Sequence, residues 1–455
     1  MMAPLLRRAV AATPAGAPDE LRVKHRGTEV VLDAGALRRI RRDLLHRSRR
    51  GPNTQRVAAA KAVLAALWEQ LASRGAARGE KEAFLEDVAA RDEFAVFLNS
   101  WWPLLRPVDL LKALGDPDRI DRAARGRLSR DQVTLLSHAW RHTARTGEVS
   151  FLDVALLDEI DVLLGPLPRV RPRTPGVPDD DNPYVVDGVD IFTGESVRSA
   201  VPADEISEVT TYADRMSRAG RGRRDEDEEP AEYAHIVVDE AQDLAPMQWR
   251  MLKRRGRHAT WTVVEDPAQS AWEDLDASAA AMADALGDRT RHEFELTTNY
   301  RNPAEIAAVA ARVLQRAVPG ARPARAVRTG GEKPLVSAAD ADTLPEAARR
   351  AALDLLPQVE GTIGVITPVG GASPVADAFA GVPSRIQVMD ALDAKGLEFD
   401  AAVIVAPETI AHQAPSGLRT LYVALTRATR SLVAVTCDPG WAEGLTGLQV
   451  TRANP

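Results

Sequence analysis

HIVVDEAQD, residues 235–243, is the stretch on which the reading of this chain turns. His235 to Val238 have buried-strand character, and they deliver two consecutive carboxylates, Asp239 and Glu240. Open α/β sheets bind their ligands at the carboxyl ends of their strands, where one carboxylate can hold Mg²⁺ and its neighbour can orient water. By chemical type, Asp239 is the candidate metal ligand for a nucleoside triphosphate and Glu240 the candidate activator of the attacking water. An Asp-Glu pair after an apolar strand is also a common solvated strand end, so the pair alone leaves both readings open.

Outward from this segment, short apolar runs alternate with helical periodicity. Downstream come a helix around MQWRMLKRR, the run TWTVVED, a helix around AAAMADAL, the run HEFELT and a helix from Pro303 to Gln315. After the turn-rich Pro319–Pro323 a second set follows: PLVSAA, a helix LPEAARRAALDLL, TIGVIT, IQVMDALDA, AAVIVAP, a helix around RTLYVALTRAT, and SLVAVT. Strands alternating with helices predict α/β domains, two of them, with parallel sheets covered on both faces. Upstream, VAAAKAVLAALWEQLA and LSRDQVTLLSHAWRHT place apolar residues three and four apart, which predicts a helical region from Ala34 to about Leu167. Between the two parts, PLPRVRPRTPGVPDDDNP and MSRAGRGRRDEDEEPAE concentrate proline and like charges, including the acidic runs Asp179–Asp181 and Asp225–Glu229, and predict a linker.

Composition narrows the class. A chain of 455 residues with 45% apolar residues can bury the cores of two to four domains and is neither collagen-like nor wholly disordered. Its single cysteine, Cys437, cannot form an internal disulfide. No apolar run approaches the roughly 20 residues of a membrane-spanning helix, and the N-terminus has no convincing export signal, so a cytoplasmic protein with no membrane partner is expected. The net charge of −7 conceals a basic head, with twelve Lys/Arg against five Asp/Glu in residues 1–50. That head could meet nucleic acid, or it could be a solvated helical face and a frayed terminus.

VVDEAQD resembles the Walker B segment of the superfamily 1 helicases of the UvrD/Rep type. Further resemblances follow in order. TVVEDPAQSAW implies Asp266 and Gln269 as sensors of the γ-phosphate, and LTTNYRNPAEI implies Tyr300 stacking on adenine and Arg301 contacting the γ-phosphate. VMDALDAKGLEFDAAVIV implies Lys395 and Gly396 near the inter-domain cleft and Glu398 on the ribose. LYVALTRATRSL implies Arg427 as the arginine finger. Gln242, within the Walker B segment, joins the implied nucleotide-binding residues. Each chemistry is physically sound: an arginine from a second domain neutralises charge on a transferring phosphoryl group, and an aromatic ring is a sequence-tolerant platform for a base. Taken singly, Tyr300 could be a core aromatic, Arg427 a helix-surface cation and Lys395-Gly396 an ordinary turn.

The resemblance implies ATP and Mg²⁺ as cofactors and DNA or RNA, bound without sequence specificity, as a partner. FLNSWWPLLRPVDLL, LSRDQV, FLDVALLDEIDVLLG and DLAPMQWRMLKRR resemble the HelD/HelR-type RNA-polymerase-associated group, in which a helical insertion interrupts the first motor domain. This implies RNA polymerase as a partner, while Trp101-Trp102 read alone is a buried helix contact. The implied organisation is a basic segment (1–33), a helical insertion region (34–167), a linker and acidic connection (168–232), the remainder of a first RecA-like domain (233–317) and a second RecA-like domain (318–455). Three features depart from the pattern, one of them Asp393, where many relatives of the wider superfamily carry histidine. No Gly-Lys dipeptide occurs, so the phosphate cradle GxxxxGK followed by Ser or Thr is missing, and Glu265 stands where relatives carry glycine. The chain is therefore expected to be the C-terminal portion of a longer protein, with exposed apolar edges where opening strands are lacking, and to hydrolyse ATP weakly or not at all. An ATP-independent polymerase-binding remnant and the product of a broken gene are the other readings.

Overall fold

The periodic Ala- and Leu-rich sequence upstream folds into helices at Ala34–Arg47, Pro52–Ser73, Lys81–Ala89, Asp92–Trp101, Pro107–Ala113, Pro117–Ala124, Arg130–Thr146 and Phe151–Leu164 in a computed structural model. The structure describes residues 1–47, 51–77, 80–167, 185–186, 189–190, 233–270, 272, 274–448 and 450–452. Two compact units result, Met1–Ala231 and Glu232–Pro455. Local chemistry sets the helix starts: proline occupies the first turn at Pro52, Pro107 and Pro117, where its missing N–H costs nothing. Ser129 with Gln132, and Ser150 with Asp153, form reciprocal capping boxes.

The basic head is folded, which corrects the frayed-terminus alternative. A helix at Met2–Ala11 buries Leu5 and Leu6, and the strands β1 (Leu21–His25) and β2 (Thr28–Leu32) form a hairpin turning through Arg26-Gly27. The alternation of LRVKH and TEVVL puts Leu21, Val23, Val30 and Leu32 into the core while Arg22 and Lys24 stay outside. Trp101 and Trp102 are buried in the same core. The Trp102 indole N–H donates to the Pro52 carbonyl at 2.9 Å, and the Arg41 guanidinium lies 4.7 Å from the ring centroid. The expected linker and both acidic runs lie outside the described residues, apart from the short antiparallel pair β3 (Val185–Val186) and β4 (Val189–Asp190).

In the second unit, β5 (His235–Val238) runs parallel to β6 (Thr260–Val263), and β7 (Thr298–Pro303) parallel to β8 (Arg325–Arg328). A six-stranded sheet follows, made of β9 (Leu335–Ala338), β10 (Ile363–Thr367), β11 (Ile386–Asp390), β12 (Phe399–Val405), β13 (Ala428–Thr436) and β14 (Val450–Arg452). Its order is β11-β10-β12-β13-β9-β14, with every pairing parallel. The α/β class with parallel sheets is thus the one expected from the sequence. Ile366, Ile404 and Ala434 enter one core and Val365, Val403 and Val435 the other, the period of two that a sheet covered on both faces requires. The helix Ala304–Ala317 packs Ile306, Val309 and Val313 into the first of these cores, beside Val336 and Ile366. A boundary at 317/318 therefore falls between a helix and the sheet it covers.

Two expectations are corrected around β5. HEFELT is not a strand: Phe294 and Leu296 are 89% and 87% exposed in an irregular segment before β7. Its alternation reads as a strand, but it has no strand partner among the described residues. The β5–β6 pair is covered on one face, by the helices Pro246–Arg255 and Leu275–Leu286, through Ile236, Val238, Trp249 and Ala285. On the strand's other side Val237 is 66% exposed, so the two-sided cover expected here is realised only in the six-stranded sheet.

Candidate nucleotide site

Where β5 ends, the chain turns sharply at Glu240, whose φ of 49° is left-handed, a conformation that costs a non-glycine residue on the order of 1 kcal/mol. The turn leaves Asp239 and Glu240 exposed at the carboxyl end of the strand, with Asp239 Oδ1 accepting the Glu240 N–H at 2.9 Å. Gln242, 5% exposed, braces the turn: its Nε2 donates to Glu240 Oε2 at 2.5 Å, and its Oε1 accepts the Asp266 N–H at 3.0 Å. One side chain thereby ties the end of β5 to the end of β6.

Asp266 organises the turn that follows β6. It accepts from the Ala268 N–H at 3.0 Å and from Gln269 Nε2 at 2.8 Å. Gln269 Oε1 in turn accepts from Arg427 Nη2 at 3.2 Å. A continuous hydrogen-bonded run therefore links Glu240, Gln242, Asp266, Gln269 and Arg427. Arg427 is 2% exposed, and its guanidinium also donates to the carbonyls of Val423 at 3.0 Å and Leu397 at 3.1 Å. Burial pulls its pKa down and nearby Arg301 adds to the pull, while Glu240, Glu398 and Tyr422 oppose it. These couplings put Glu240, Arg301 and Glu398 in the same electrostatic neighbourhood as Arg427.

The other expected residues fall around this run. Arg301 Nη2 pairs with Glu398 Oε1 at 2.6 Å. Lys395 Nζ lies 2.5 Å from Asp243 Oδ2 and also donates to the Gln269 carbonyl. Gly396 has φ +76° with nothing near a Cβ position, so backbone conformation, not crowding, selects glycine there. Tyr300 is 73% exposed, so it is not a core aromatic, and the burial of Arg427 excludes a helix-surface cation. Tyr300 and Gly396 lie outside the hydrogen-bonded run. Glu265 borders a cavity of about 160 Å³ with Gln242, Trp249, Ser270 and Asp276. Burial chiefly, then Asp266 and Glu293, pushes its carboxyl pKa up.

Several contributors escaped sequence reasoning. Asn302, 2% exposed, donates to the carbonyls of Thr426 and Ala428. Arg419 donates to the carbonyl of Ser270 at 3.0 Å and to that of Trp272 at 2.5 Å. Burial raises the Tyr422 phenol to about 12, with Asp266 adding to the rise. The available signal was position: each lies within or beside a segment already singled out.

Residues 205–285 match the UvrD/REP helicase N-terminal domain, and residues 388–435 match the UvrD-like helicase C-terminal domain. The chain carries UvrD-like helicase N- and C-terminal domain sequence, of superfamily 1. Both ends of the hydrogen-bonded run lie within the matches, Glu240 to Gln269 in the N-terminal one and Arg427 in the C-terminal one, as does Lys395, whereas Tyr300, Arg301 and Asn302 stand between them. No curated protein matches the chain.

Proposed function

We propose that this chain is a UvrD-like superfamily 1 helicase-type ATPase of the HelD group that acts with RNA polymerase, recycling it or removing it from nucleic acid. The observation that carries the ATPase part is the run from Glu240 to Arg427, with Arg301 beside it. It gathers a carboxylate able to orient water, a γ-phosphate sensor and two cations into one place, the inventory phosphoryl transfer needs. Asp239 fits the metal role: it is an exposed strand-end carboxylate, and Mg²⁺ is commonly held by one or two carboxylates together with the nucleotide's own phosphates. Bound there, the ion would neutralise phosphate charge. Tyr300 offers an open ring face to adenine, and Glu398 a carboxylate to the ribose.

The sequence contains no GxxxxGK cradle for the β- and γ-phosphates, so turnover by this polypeptide alone is expected to be weak or absent. Its domains are proposed as a basic but folded head (1–33), a helical insertion region (34–167), a connection (168–232) and two RecA-like parts. Those two parts are the remainder of a first RecA-like domain (233–317) and a second RecA-like domain (318–455). The polymerase reading is supported by the sequence resemblance of the helical region, and nucleic acid would be held through backbone charge and stacking. A cytoplasmic location is part of this proposal, and among the described residues no helix is long and apolar enough to cross a membrane.

ATP turnover by the purified chain, with and without RNA polymerase, tests the proposal against Glu240→Gln. Turnover that appears with polymerase and disappears in the variant supports the motor. Polymerase binding at moderate salt without turnover in either state leaves the ATP-independent binding reading. Failure to co-purify with polymerase refutes the partner.

A further inference from the structure

Arg301 lies on β7 and Arg427 opens onto β13, yet the two guanidinium groups share one electrostatic neighbourhood. Like charges at close quarters repel, and a neutral side chain ties the two backbones together. Asn302 does this through both of its amide hydrogens. Its Nδ2 donates to the Thr426 carbonyl at 2.9 Å and the Ala428 carbonyl at 2.8 Å, which immediately precede and follow Arg427. The same side chain reaches back to β7, with Oδ1 accepting from Asn299 Nδ2 at 3.0 Å. Asn299 Oδ1 accepts the N–H groups of Arg301 at 2.9 Å and Asn302 at 3.0 Å, closing the turn that presents Tyr300 and Arg301.

We infer that Asn302 is a positioning residue that sets the spacing between Arg301 and Arg427, and thereby makes the site prefer a nucleoside triphosphate to a diphosphate. The inference rests on the nucleotide reading above. A terminal third phosphate is the group that two such arginines can grip together through directed, charge-assisted hydrogen bonds. A diphosphate lacks that group and gains little from their spacing. Asn302 is 2% exposed and spends both amide hydrogens on main-chain carbonyls, so its effect travels through the two arginines. Aspartate has the same outline but no hydrogens to donate, and would set a carboxylate against two carbonyl oxygens.

The test is equilibrium binding of fluorescent ATP and ADP analogues, with Mg²⁺, to the full chain and to Asn302→Ala, Asn302→Asp and Asn302→Ser, each checked for folding by its melting transition. The wild type is expected to favour the triphosphate by about tenfold, the worth of one lost charge-assisted contact. Asn302→Ala and Asn302→Asp should bring the two affinities close together by weakening the triphosphate alone, and Asn302→Ser, which keeps one donor, should restore part of the preference. If the position 302 variants do not fold, Asn299→Ala decides, since it loosens the Arg301 turn while leaving the hook on Arg427, and it too should reduce the preference. An unchanged preference in a folded variant overturns the inference and leaves the nucleotide reading standing. A wild type that binds both nucleotides equally also overturns it, and a wild type that binds neither overturns both.

Discussion

Replacing Lys395 by alanine tests whether the second half of the site is held against the first by a cation. Its ammonium lies 2.5 Å from Asp243 Oδ2 and 2.7 Å from Oδ1, with side chains only 16% and 32% exposed, and it also meets the Gln269 carbonyl. A solvent-exposed pair contributes about 0–1 kcal/mol, because water and salt screen it. Removing one partner of a fully buried pair costs about 3–5 kcal/mol, because the other charge is stranded. This pair sits between those limits, so Lys395→Ala should cost about 2 kcal/mol. For a unit of this size that is about 4–8 °C in melting temperature. The assay is thermal and urea unfolding followed by tryptophan fluorescence, in a cycle with Asp243→Ala and the double variant. The coupling energy should be about 1–2 kcal/mol and should largely survive 1 M salt, since burial limits screening. A loss below about 0.5 kcal/mol, or a coupling near zero, would show that the pair is an ordinary surface contact and refute the bracing role.

Two further outcomes are expected. Burial, Asp266 and Glu293 raise the Glu265 carboxyl pKa above its usual 4.5, so the folded state holds that proton more tightly than the unfolded chain does. The resulting stability is fully present below the unfolded value and is lost as pH rises through the raised folded value. Glu265→Gln should therefore match the wild type near pH 4 and be the more stable protein at pH 7, and a urea midpoint difference that does not grow with pH would contradict this. In the helical unit, Trp102 is 1% exposed, hydrogen-bonded to the Pro52 carbonyl and faced by Arg41. Trp102→Ala should cost about 3–5 kcal/mol, seen as a lower urea midpoint, and a cost under about 1 kcal/mol would mean that the tryptophan pair is not part of the core.

What could be read from the sequence was what local pattern dictates. IGVIT and AAVIV have no polar alternation, and both became strands buried on two faces. VVDE placed its carboxylates at a strand end, because the apolar run Ile236–Val238 and a turn leave little other choice. HEFELT misled because alternation describes a strand's side chains and says nothing of whether a neighbour exists to pair with its backbone. The head misled in the opposite way: its arginines dominate the composition, while the apolar alternation in LRVKH and TEVVL, joined by Arg26-Gly27, is what folds. Helix Ala304–Ala317 has a clear apolar stripe, but a stripe does not name the sheet it will cover.

The residues that escaped were those whose work is done through space. Asn302 meets carbonyls more than a hundred positions away, and so does Arg419, and neither an amide nor a surface-type cation announces such a partner in sequence. The cations of the site share a related property. Arg301 is paired with Glu398 and Lys395 with Asp243, while Arg427 is held by carbonyls and by Gln269. Each of these contacts satisfies a charge or donor that a phosphate would otherwise attract. A nucleotide reaching Arg301 and Arg427 must therefore compete with Glu398 and Gln269, and the net gain from binding is the difference between those exchanges. On the nucleotide reading proposed above, a site arranged in this way should respond modestly to a diphosphate and most to a ligand able to replace both contacts at once.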